Sequence, residues 1–290
     1  MAERLSRVAV LSHRWPPSTA AVLPELVADA GRLGLELLAT ADEWEKHGLA
    51  EAGGFSLIDE DEMRGADVCL VFGGDGTMLR ALGRLLGSGV PTTGVNFGNV
   101  GFLCAMDRDA WRDGFARMAS GSYTVIDLLT VEARFNGERR SAVNDVVLAR
   151  PRSHGVLYLE YEVSGTRVGQ MPCDGMIVAS PAGSTAYNLS CDGPLLVWDA
   201  EALVLNFIAP HSLGFRPVVL RADHVIGVRN VSTADEAEIV ADGVGVGRLG
   251  PGERVEIAAG ESRARLLVAE GGSFYKNVEE KLFNRSPHAR

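Results

Sequence analysis

The sequence predicts an α/β N-terminal domain with a parallel sheet, followed by a mostly-β C-terminal domain. Two observations carry this prediction. In the first third of the chain, short apolar runs alternate with stretches whose apolar residues recur at helical spacing, as in β-α-β units. From about residue 122 the apolar period changes to two, which is typical of half-buried antiparallel strands.

The N-terminal α/β domain is predicted over residues 1–120. Apolar runs there predict strands at 7–12, 35–39, 67–72 and 90–95, and helical stripes predict helices at 22–33, at 77–86 and from Asp107. The run 67–72 is unbroken, as expected of a parallel strand that is covered on both faces. Ligands of such sheets bind outside the carboxyl ends of the strands, which is where residues 73–77 fall.

The C-terminal β domain is predicted over residues 121–269. Its strands are expected near 123–135, 139–149, 156–163, 166–170, 174–180, 202–208, 216–220, 224–229, 237–241, 254–258 and 264–269. The pairs Asn136-Gly137 and Ser164-Gly165 predict hairpin turns. Residues 270–290 carry apolar residues at helical spacing, so they are expected to form a helix that packs back on the N-terminal domain.

Composition and charge exclude several classes of function. The chain has 290 residues, of which 46% are hydrophobic and 23% charged, as is ordinary for a globular protein. Its formal charge of −10 argues against a nucleic-acid partner. No segment approaches the ~20 apolar residues of a membrane span, so no membrane partner and a cytoplasmic location are expected. The cysteines and histidines lack metal-site spacing, and no protein ligand for a metal is assigned.

The motif Gly-Gly-Asp-Gly-Thr at residues 73–77 is the most informative feature of the sequence. It lies where a buried strand passes into a helix, so its glycines allow a ligand to come close and the helix N-terminus favours phosphate. Asp75 repels phosphate unless a cation or a reacting hydroxyl lies beside it, which favours chemistry over simple anion binding. The alternative is a type I′ or II′ turn that needs these residues for its dihedral angles.

Further motifs follow the glycine loop in a fixed order, whereas Rossmann, Walker A and serine-hydrolase motifs are absent. They are Val-Asn-Asp-Val-Val at 143–147, Cys-Asp-Gly-Met-Ile at 173–177 and Ser-Pro-Ala-Gly-Ser-Thr-Ala-Tyr at 180–187. Together with residues 73–77, these motifs resemble the NAD kinase family. Further matches lie at 94–103, 210–217 and 242–243. The resemblance therefore covers nearly the whole chain from residue 67 onward.

The resemblance implies an NAD kinase-like two-domain fold and a specific reaction. The γ-phosphoryl group of ATP, or of polyphosphate, would pass to the 2′-hydroxyl of the adenosine ribose of NAD, and Asp75 would accept the hydroxyl proton. The implied phosphate-binding residues are Gly73, Gly74, Gly76 and Thr77. Arg80, on the helix after the glycine loop, is a further candidate for phosphate binding, with a solvated helix face as the alternative. The implied NAD-binding residues are Asp75, Gly76, Phe102, Asn144, Asp145, Asp174, Thr185, Ala186, Tyr187 and Asp242. A divalent cation, Mg²⁺, is expected with ATP, because an acidic protein does not neutralise the triphosphate alone.

Departures from the family pattern keep other functions open. Asp145 stands where the family usually has Glu, so contacts there must shift or pass through water, and this bears on the preference between NAD and NADH. A lipid kinase of the diacylglycerol or sphingoid type shares the glycine-Asp loop. A non-catalytic dinucleotide sensor would keep the pocket without turnover. Family members are usually dimers or tetramers, so a homodimer or homotetramer is expected.

Overall fold

The computed structural model describes residues 5–49, 53–98, 101–151, 155–270 and 273–283. The chain divides into two units, one comprising Met1–Asp127 with Ala264–Arg290 and the other comprising Leu128–Arg263. Within the described ranges, no helix combines the length and the apolar character that crossing a bilayer requires.

Apolar and β-branched runs form the strands of both units. In chain order the strands are β1 (Arg7–Ser12), β2 (Glu36–Thr40), β3 (Ser56–Ile58), β4 (Val68–Gly73), β5 (Thr92–Asn96), β6 (Met106–Asp107), β7 (Tyr123–Leu128), β8 (Val131–Phe135), β9 (Glu138–Ala142), β10 (Asp145–Ala149), β11 (Leu157–Val163), β12 (Thr166–Cys173), β13 (Gly175–Ala179), β14 (Ala202–Ile208), β15 (Val218–Arg221), β16 (Ile226–Asn230), β17 (Ala237–Ala241), β18 (Val244–Leu249), β19 (Arg254–Ala259) and β20 (Ala264–Ala269).

Helices lie mainly in the first unit. They are α1 (Leu23–Leu33), α2 (Ala41–His47), α3 (Glu60–Met63), α4 (Asp75–Arg84), α5 (Trp111–Ala119), α6 (Tyr187–Ser190) and α7 (Phe274–Val278). Short 3₁₀ turns occur at Pro16–Ser18, Ala20–Val22 and Ala182–Thr185, and α7 continues into a π-helical turn at Glu279–Phe283. Proline at the start of α1 and Gly34 in the left-handed region at its end are typical of a well-capped helix.

One sheet of the described residues organises the first unit. Its strand order is β3-β2-β1-β4-β5-β20-β7, with β6 paired to β5, and β1 to β6 run parallel to their partners. All six residues of β4 are buried, as the unbroken apolar run predicts. Pairing of Ser12 with Phe72 and of Gly73 with Asn96 brings the carboxyl ends of β1, β4 and β5 to one edge.

Aromatic and aliphatic side chains fix the helices on this sheet. The rings of Phe72 on β4 and Trp111 on α5 meet edge to face at 5.6 Å. Helix α4 buries Met78 and Leu82, and Gly94 leaves room for Met78, since a Cβ at that glycine would lie 2.5 Å from the Met78 sulfur. Each such buried side chain contributes about 2 kcal/mol of transfer free energy. The first turn of α4 is thereby held at the carboxyl edge of the sheet.

Two six-stranded antiparallel sheets make up the second unit. Their orders are β15-β14-β13-β10-β17-β18 and β12-β11-β16-β19-β8-β9. Alternate residues of both sheets enter one apolar core, which includes Val131, Leu148, Leu159 and Phe207. The predicted fold class, a parallel α/β part followed by a mostly antiparallel β part, is confirmed.

The unit boundaries differ from the predicted 1–120 and 121–269. Strands β7 and β20, which the sequence analysis placed in the C-terminal domain, belong to the sheet of the first unit. Strand β7 reads like the half-buried strands that follow it, so its pattern gives no sign of which sheet it joins. Strand β20 is different, because residues 266–269 form a continuous apolar run and five of its six residues are buried, as is typical of a strand covered on both faces. In the predicted C-terminal segment 270–290, the structure describes residues 273–283, and these form α7 and the π turn in the first unit. Residues 284–290 lie outside the described residues.

Candidate active site

The glycine motif forms the passage from β4 to α4. Gly74 caps the helix with φ −104° and ψ −170°, and its carbonyl accepts hydrogen bonds from the amides of Thr77 (2.9 Å) and Met78 (3.1 Å). None of the three glycines has a positive φ, so the alternative of a type I′ or II′ turn is wrong. The helix begins at Asp75 rather than at the predicted residue 77. Asp75 is therefore a first-turn residue, where the helix dipole favours a negative charge.

Close packing explains the glycine at position 73, and the exposure of the backbone explains the glycine at position 76. A Cβ on Gly73 would lie 2.4 Å from the Thr77 hydroxyl oxygen, so the buried Thr77 side chain folds over the strand end. Gly76 is exposed, and no atom lies within 4 Å of where its Cβ would be. The first amides of a helix have no partner inside that helix. An anion can therefore reach the backbone at the start of α4.

The Asp75 carboxylate is held by the loop that follows β5. Its Oδ2 accepts a hydrogen bond from the Phe102 amide (2.8 Å) and its Oδ1 accepts one from the Leu103 amide (3.1 Å). A Cβ on Gly101 would lie 2.8 Å from Oδ1, so this loop approaches closely only because residue 101 is glycine. Burial raises the pKa of Asp75, and the amide hydrogen bonds and the positive charge of Lys281 act in the opposite direction. The result is an oriented carboxylate of increased basicity.

The rest of the 94–103 motif lines the same strand ends. The Phe97 amide donates to the Gly73 carbonyl (3.0 Å), and the Gly98 amide donates to Asn96 Oδ1 (2.9 Å). The Cys104 thiol lies 3.5 Å from the Gly73 carbonyl, and burial raises its pKa to about 12, so it stays protonated and is no nucleophile. Residues 99 and 100 of the motif lie outside the described residues.

Arg80 lies on α4 and reaches the end of β1. Its Nη2 donates to the Ser12 carbonyl at 2.7 Å, so the guanidinium is anchored rather than free on a solvated helix face. Behind Ser12 is a buried polar group that sequence reasoning missed. The Ser12 hydroxyl donates to Glu43 Oε2 (2.6 Å) and lies 2.7 Å from His47 Nε2. These residues come from two elements that carry no recognisable motif, so no local pattern could have found them.

Two residues of the C-terminal segment also belong to the surroundings of Asp75. Asn277 on α7 donates from Nδ2 to the Phe102 carbonyl at 2.8 Å. Lys281, on the following π turn, lowers the pKa of Asp75 through its charge. The sequence analysis placed this segment on the N-terminal domain but assigned neither residue a role.

In the second unit, Asp242 clamps the segment that leads into β10. Its Oδ2 accepts from the Val143 amide (2.7 Å), and its Oδ1 accepts from the amides of Asn144 (2.7 Å) and Asp145 (3.3 Å). Asp242 has φ +48°, and its own amide donates to the Asp145 carbonyl at 3.1 Å. Burial raises the pKa of Asp242 against these three hydrogen bonds. Asp242 was predicted to bind NAD, and the structure assigns its carboxylate to the backbone of residues 143–145.

Asn144 and Asp145 are buried without full hydrogen bonding. Asn144 Oδ1 has no hydrogen-bond partner among the described residues. Burial and the neighbouring charge of Asp242 raise the pKa of Asp145 to about 7. Buried polar groups are normally satisfied, and carboxyl groups titrating near neutrality gather at functional sites. The pair is therefore a strong candidate for ligand contact.

The 180–187 loop packs against this pair. The Ser180 amide donates to the Asn144 carbonyl (2.8 Å), and a Cβ on Gly183 would lie 2.0 Å from the same carbonyl oxygen. Thr185 donates from its hydroxyl to the Ala182 carbonyl (3.0 Å), and Ala186 follows it at the end of the 3₁₀ turn. The Tyr187 side chain is 45% exposed, which leaves its ring available for a ligand. The structure thus brings the second and fourth motifs together.

Two further predicted residues have other partners. Asp174 forms an ion pair with Arg150 at 3.4 Å, at the start of β13. Phe102 is only 5% exposed in the first unit, so its backbone amide, rather than its ring, is what faces Asp75.

A cavity of about 440 Å³ lies at the amino ends of the strands of the first unit and includes none of the predicted residues. Its two arginines are already bonded. Arg64 donates to the carbonyls of Arg84 (2.6 Å) and Leu86 (2.9 Å), and Arg265 donates to the carbonyl of Gly89 (2.5 Å). Because the ligand site of a parallel sheet lies at the other edge, we assign the candidate site to residues 73–80 and not to this cavity.

Comparison with known proteins identifies the family. Residues 45–123 match the family profile described as the ATP-NAD kinase N-terminal domain, and residues 143–269 match that of the ATP-NAD kinase C-terminal domain. The NAD kinase of Gemmatimonas aurantiaca is 32% identical over 283 residues, which cover 95% of each chain. The chain belongs to the NAD kinase family.

Other NAD kinases agree with this assignment. That of Nitrosomonas europaea is 38% identical over 231 residues, covering 78% of each chain. Two solved structures share the fold. Yeast NADH kinase, complexed with NADH, superposes with a TM-score of 0.87 at 21% identity over 99% of this chain and 91% of its own. An NAD kinase from Archaeoglobus fulgidus, in complex with ATP, gives 0.75 at 24% identity over 95% of this chain and 98% of its own. The resemblance drawn from the motifs is confirmed, and the chain is an enzyme of the NAD kinase type.

Proposed function

We propose that this NAD kinase transfers the γ-phosphoryl group of ATP to the 2′-hydroxyl of the adenosine ribose of NAD, which produces NADP. The observation that carries the proposal is the Asp75 carboxylate, oriented by the amides of Phe102 and Leu103 on the first turn of α4. Membership in a family described as ATP-NAD kinase supports the choice of both substrates. Polyphosphate is the alternative donor.

Asp75 would act on the hydroxyl proton. In the transfer, the ribose oxygen forms a bond to the γ-phosphorus, the bond from that phosphorus to the β,γ-bridging oxygen breaks, and ADP leaves with those electrons. The hydroxyl proton passes to Asp75. Phosphoryl transfer goes through a loose transition state that needs alignment and late proton acceptance more than prior deprotonation. A carboxylate held at both oxygens and made more basic by burial suits this role.

The start of α4 would hold the donor phosphates. Exposed Gly76 allows close backbone approach, and the helix N-terminus supplies amides and a positive dipole end. Arg80, anchored to the Ser12 carbonyl, adds a positive charge on the same helix. Gly73, Gly74 and Thr77 would contribute by shaping the turn, because Thr77 is buried and packs over Gly73.

The second unit would bind the dinucleotide through Asn144, Asp145, Thr185, Ala186 and Tyr187. The Asn144 oxygen without a partner and the exposed Tyr187 ring support this role. Asp174 would take part through the acceptor capacity of its carboxylate that the ion pair with Arg150 leaves open. Asp242 would support the site through the backbone of residues 143–145 rather than through the ligand.

A divalent cation would accompany the nucleotide. Among the described residues, no group of three or more His, Cys, Asp or Glu side chains is arranged to hold a metal. Magnesium does not need such a cage, because it is commonly held by substrate phosphates, water and one or two carboxylates. Asp75 fits as such a carboxylate, since an amide hydrogen bond occupies only part of the acceptor capacity of each oxygen. When bound, the cation would offset the charge of the triphosphate.

NADP formation from NAD, ATP and magnesium tests the function. Asp75→Asn is expected to lower kcat by about 1,000-fold, since it removes the carboxylate proposed to accept the proton and to assist the cation, and to leave NAD affinity largely unchanged. Asp67→Asn is the matched control, because Asp67 also accepts two backbone amides but lies at the amino end of β4. Near wild-type turnover by Asp75→Asn would remove Asp75 from the mechanism.

The same purified protein serves to test the two alternative functions. Phosphorylation of detergent-solubilised diacylglycerol in place of NAD would support the lipid-kinase alternative. Binding of NAD in calorimetry without any ATP-dependent product would support a non-catalytic sensor. Light scattering would test the expected homodimer or homotetramer.

A further inference from the structure

A buried polar group lies at the carboxyl end of β1. This Ser12 group consists of Ser12 on β1 and of Glu43, Lys46 and His47 on α2. Ser12 is fully buried, and the side chains of Glu43 and His47 are 3% and 2% exposed. Lys46 donates from Nζ to Glu43 Oε1 and, at 3.1 Å, to the Ser12 hydroxyl oxygen. Glu43 is therefore a buried carboxylate that pairs with the cation of Lys46.

The hydrogen bonds of the Ser12 group keep His47 neutral. An ionised carboxylate only accepts hydrogen bonds, so the single hydroxyl proton of Ser12 goes to Glu43 Oε2 at 2.6 Å. His47 Nε2, at 2.7 Å from the Ser12 oxygen, must then be the donor in that contact. The buried Nδ1 of His47 has no hydrogen-bond partner among the described residues. Protonation would place a donor at Nδ1 without an acceptor, so His47 does not supply a positive charge to Glu43.

The carbonyl oxygen of Ser12 connects this group with α4. Arg80 Nη2 donates to it at 2.7 Å, and Lys46 Nζ donates to it at 3.3 Å. Ser12 pairs with Phe72, the residue before the glycine loop, so this carbonyl lies at the edge of the sheet that is proposed to hold phosphate. Glu43 and Arg80 thus bond to the same residue, one to its hydroxyl and the other to its carbonyl.

Arg80 keeps hydrogen-bond donors and a charge for a ligand. Among the described residues, the Ser12 carbonyl is its one hydrogen-bond partner, although a guanidinium has five N–H donors, and no carboxylate pairs with it. Two other arginines show the ordinary alternatives. Arg64 donates from both Nη atoms to backbone carbonyls, at 2.6 and 2.9 Å, and Arg84 forms ion pairs with two carboxylates. Arg80 is partly exposed and does neither.

An unpaired carboxylate in the Ser12 group would compete for Arg80. A buried carboxylate needs a cation, and the planar guanidinium matches a carboxylate as well as it matches a phosphate. With Lys46 in place, the charge of Glu43 is compensated. Without Lys46, the cation that remains bonded to Ser12 is Arg80. Lys46 therefore decides whether the Arg80 guanidinium faces Glu43 or a ligand.

We propose that Lys46 is a positioning residue, which neutralises Glu43 and so leaves the Arg80 guanidinium free to bind a phosphate group of the bound nucleotide. The proposal rests on the proposed function, because it assumes that the carboxyl edge of the first sheet holds nucleotide phosphates. That phosphate belongs either to ATP or to the pyrophosphate of NAD. Lys46 itself touches neither substrate and exchanges no proton with them.

Steady-state kinetics of Lys46→Met test the proposal, with Lys276→Met as the matched control, since Lys276 is 58% exposed in a surface pair with Glu280. Capture of Arg80 by Glu43 is expected to raise KM for one nucleotide about 10-fold, as loss of a charge-assisted hydrogen bond does. A rise in KM for ATP assigns the phosphate to the donor, and a rise in KM for NAD assigns it to the acceptor. Lys276→Met is expected to match the wild type. Unchanged KM values for both nucleotides in folded Lys46→Met would overturn the proposal.

Removal of the second charge separates positioning from a loss of packing. The double variant Glu43→Gln/Lys46→Met leaves no unpaired carboxylate, so KM is expected to return to within about 3-fold of the wild-type value. A purely structural role predicts that the double variant is at least as impaired as Lys46→Met. In an Arg80→Met background, Lys46→Met is expected to add no further rise in KM, because both changes act through one guanidinium. A folded double variant without recovery would contradict the role of Lys46.

Two measurements make the test independent of folding and of turnover. Thermal unfolding shows which variants are folded. If Lys46→Met does not fold, Lys46→Gln keeps a donor for Ser12 without the charge, and it is expected to give the same rise in KM; an unchanged KM there counts against the proposal. Calorimetry gives the Kd of ATP and of NAD without turnover. If the wild type forms no NADP, the proposed function fails, whereas a Kd that rises in Lys46→Met and recovers in the double variant still supports the role of Lys46.

Discussion

Asp75 in the first unit and Asp242 in the second are held in the same way but are suited to different tasks. Each carboxylate accepts backbone amides from a neighbouring loop, and burial raises the pKa of each. Asp75 lies on the first turn of a helix, beside exposed Gly76 and under the charge of Lys281. Asp242 lies beside another carboxyl group, Asp145, whose pKa it raises.

The comparison teaches that backbone amides orient a carboxylate without making it reactive. Reactivity needs an approach for the substrate and a charge pattern that suits the transition state. Asp75 lies beside exposed Gly76 and is proposed to react, whereas Asp242 uses its oxygens to fix the backbone of residues 143–145. Three predictions sharpen this contrast.

The largest expected difference between Asp242 and Asp75 is in how much the Asn variant of each loses in free energy of unfolding. Asp242→Asn replaces an acceptor oxygen with an amide donor facing the amides of residues 143–145, and leaving such buried donors unpaired is expected to cost about 3 kcal/mol. Asp75→Asn is expected to change stability by less, because it lies at the more open start of α4. Urea unfolding of both variants measures the difference. Equal losses would remove the distinction between a clamp and a reactive carboxylate.

A shift of the Asp75 carboxylate, with the carboxylate itself retained, is expected to lower kcat. In Gly101→Ala the new Cβ would lie 2.8 Å from Asp75 Oδ1, so the carboxylate or the loop must shift. A shift of this size is expected to lower kcat about 100-fold. Gly83→Ala is the control, since no atom lies within 4 Å of its Cβ position on α4. An unchanged kcat in Gly101→Ala would mean that the amide contacts of Asp75 do not set its position for catalysis.

Asp145 should give the second unit a stability that depends on pH. Its folded pKa of about 7 is above the ordinary value of an aspartate, so the folded chain binds an extra proton between the two pKa values. Stability is therefore expected to fall as pH rises from about 4 to 7. Asp145→Asn should remove this slope and gain about 2 kcal/mol at pH 8. Thermal unfolding from pH 5 to 8 measures it, and parallel curves for the two proteins would contradict the assignment.

Sequence reasoning found the parts of the site that are local in the chain. The order along the chain of the glycine loop, Asn144-Asp145 and the 180–187 loop predicted the family. The periodicity of the apolar residues predicted the parallel α/β part and the mostly-β part of the fold. The alternative of a type I′ or II′ turn at the glycine loop was wrong, because none of its three glycines has a positive φ. Packing over Gly73 and access at Gly76 depend on tertiary neighbours, which a sequence pattern does not contain.

The contacts that sequence reasoning missed join residues that are far apart in the chain. Asn277 and Phe102 are separated by 175 residues, and no spacing rule connects an amide side chain on one helix with a carbonyl in a remote loop. The group around Ser12, Glu43 and His47 is hidden for the same reason. Strands β7 and β20 were placed in the C-terminal domain, whereas both belong to the sheet of the first unit. The continuous apolar run of β20 was a signal for this that the sequence analysis did not use.

The return of β20 and α7 to the first unit has a consequence for how the chain is made. A strand inserted between β5 and β7 is missing from the first sheet until the whole second unit has been synthesised. Domains usually fold as units while the chain emerges from the ribosome, and long-range strand pairing is slow. Residues 73–77 are therefore expected to lie on an incomplete sheet until β20 has been synthesised and has paired. An unfinished chain would carry Asp75 without the helix whose Asn277 bonds the loop that holds it.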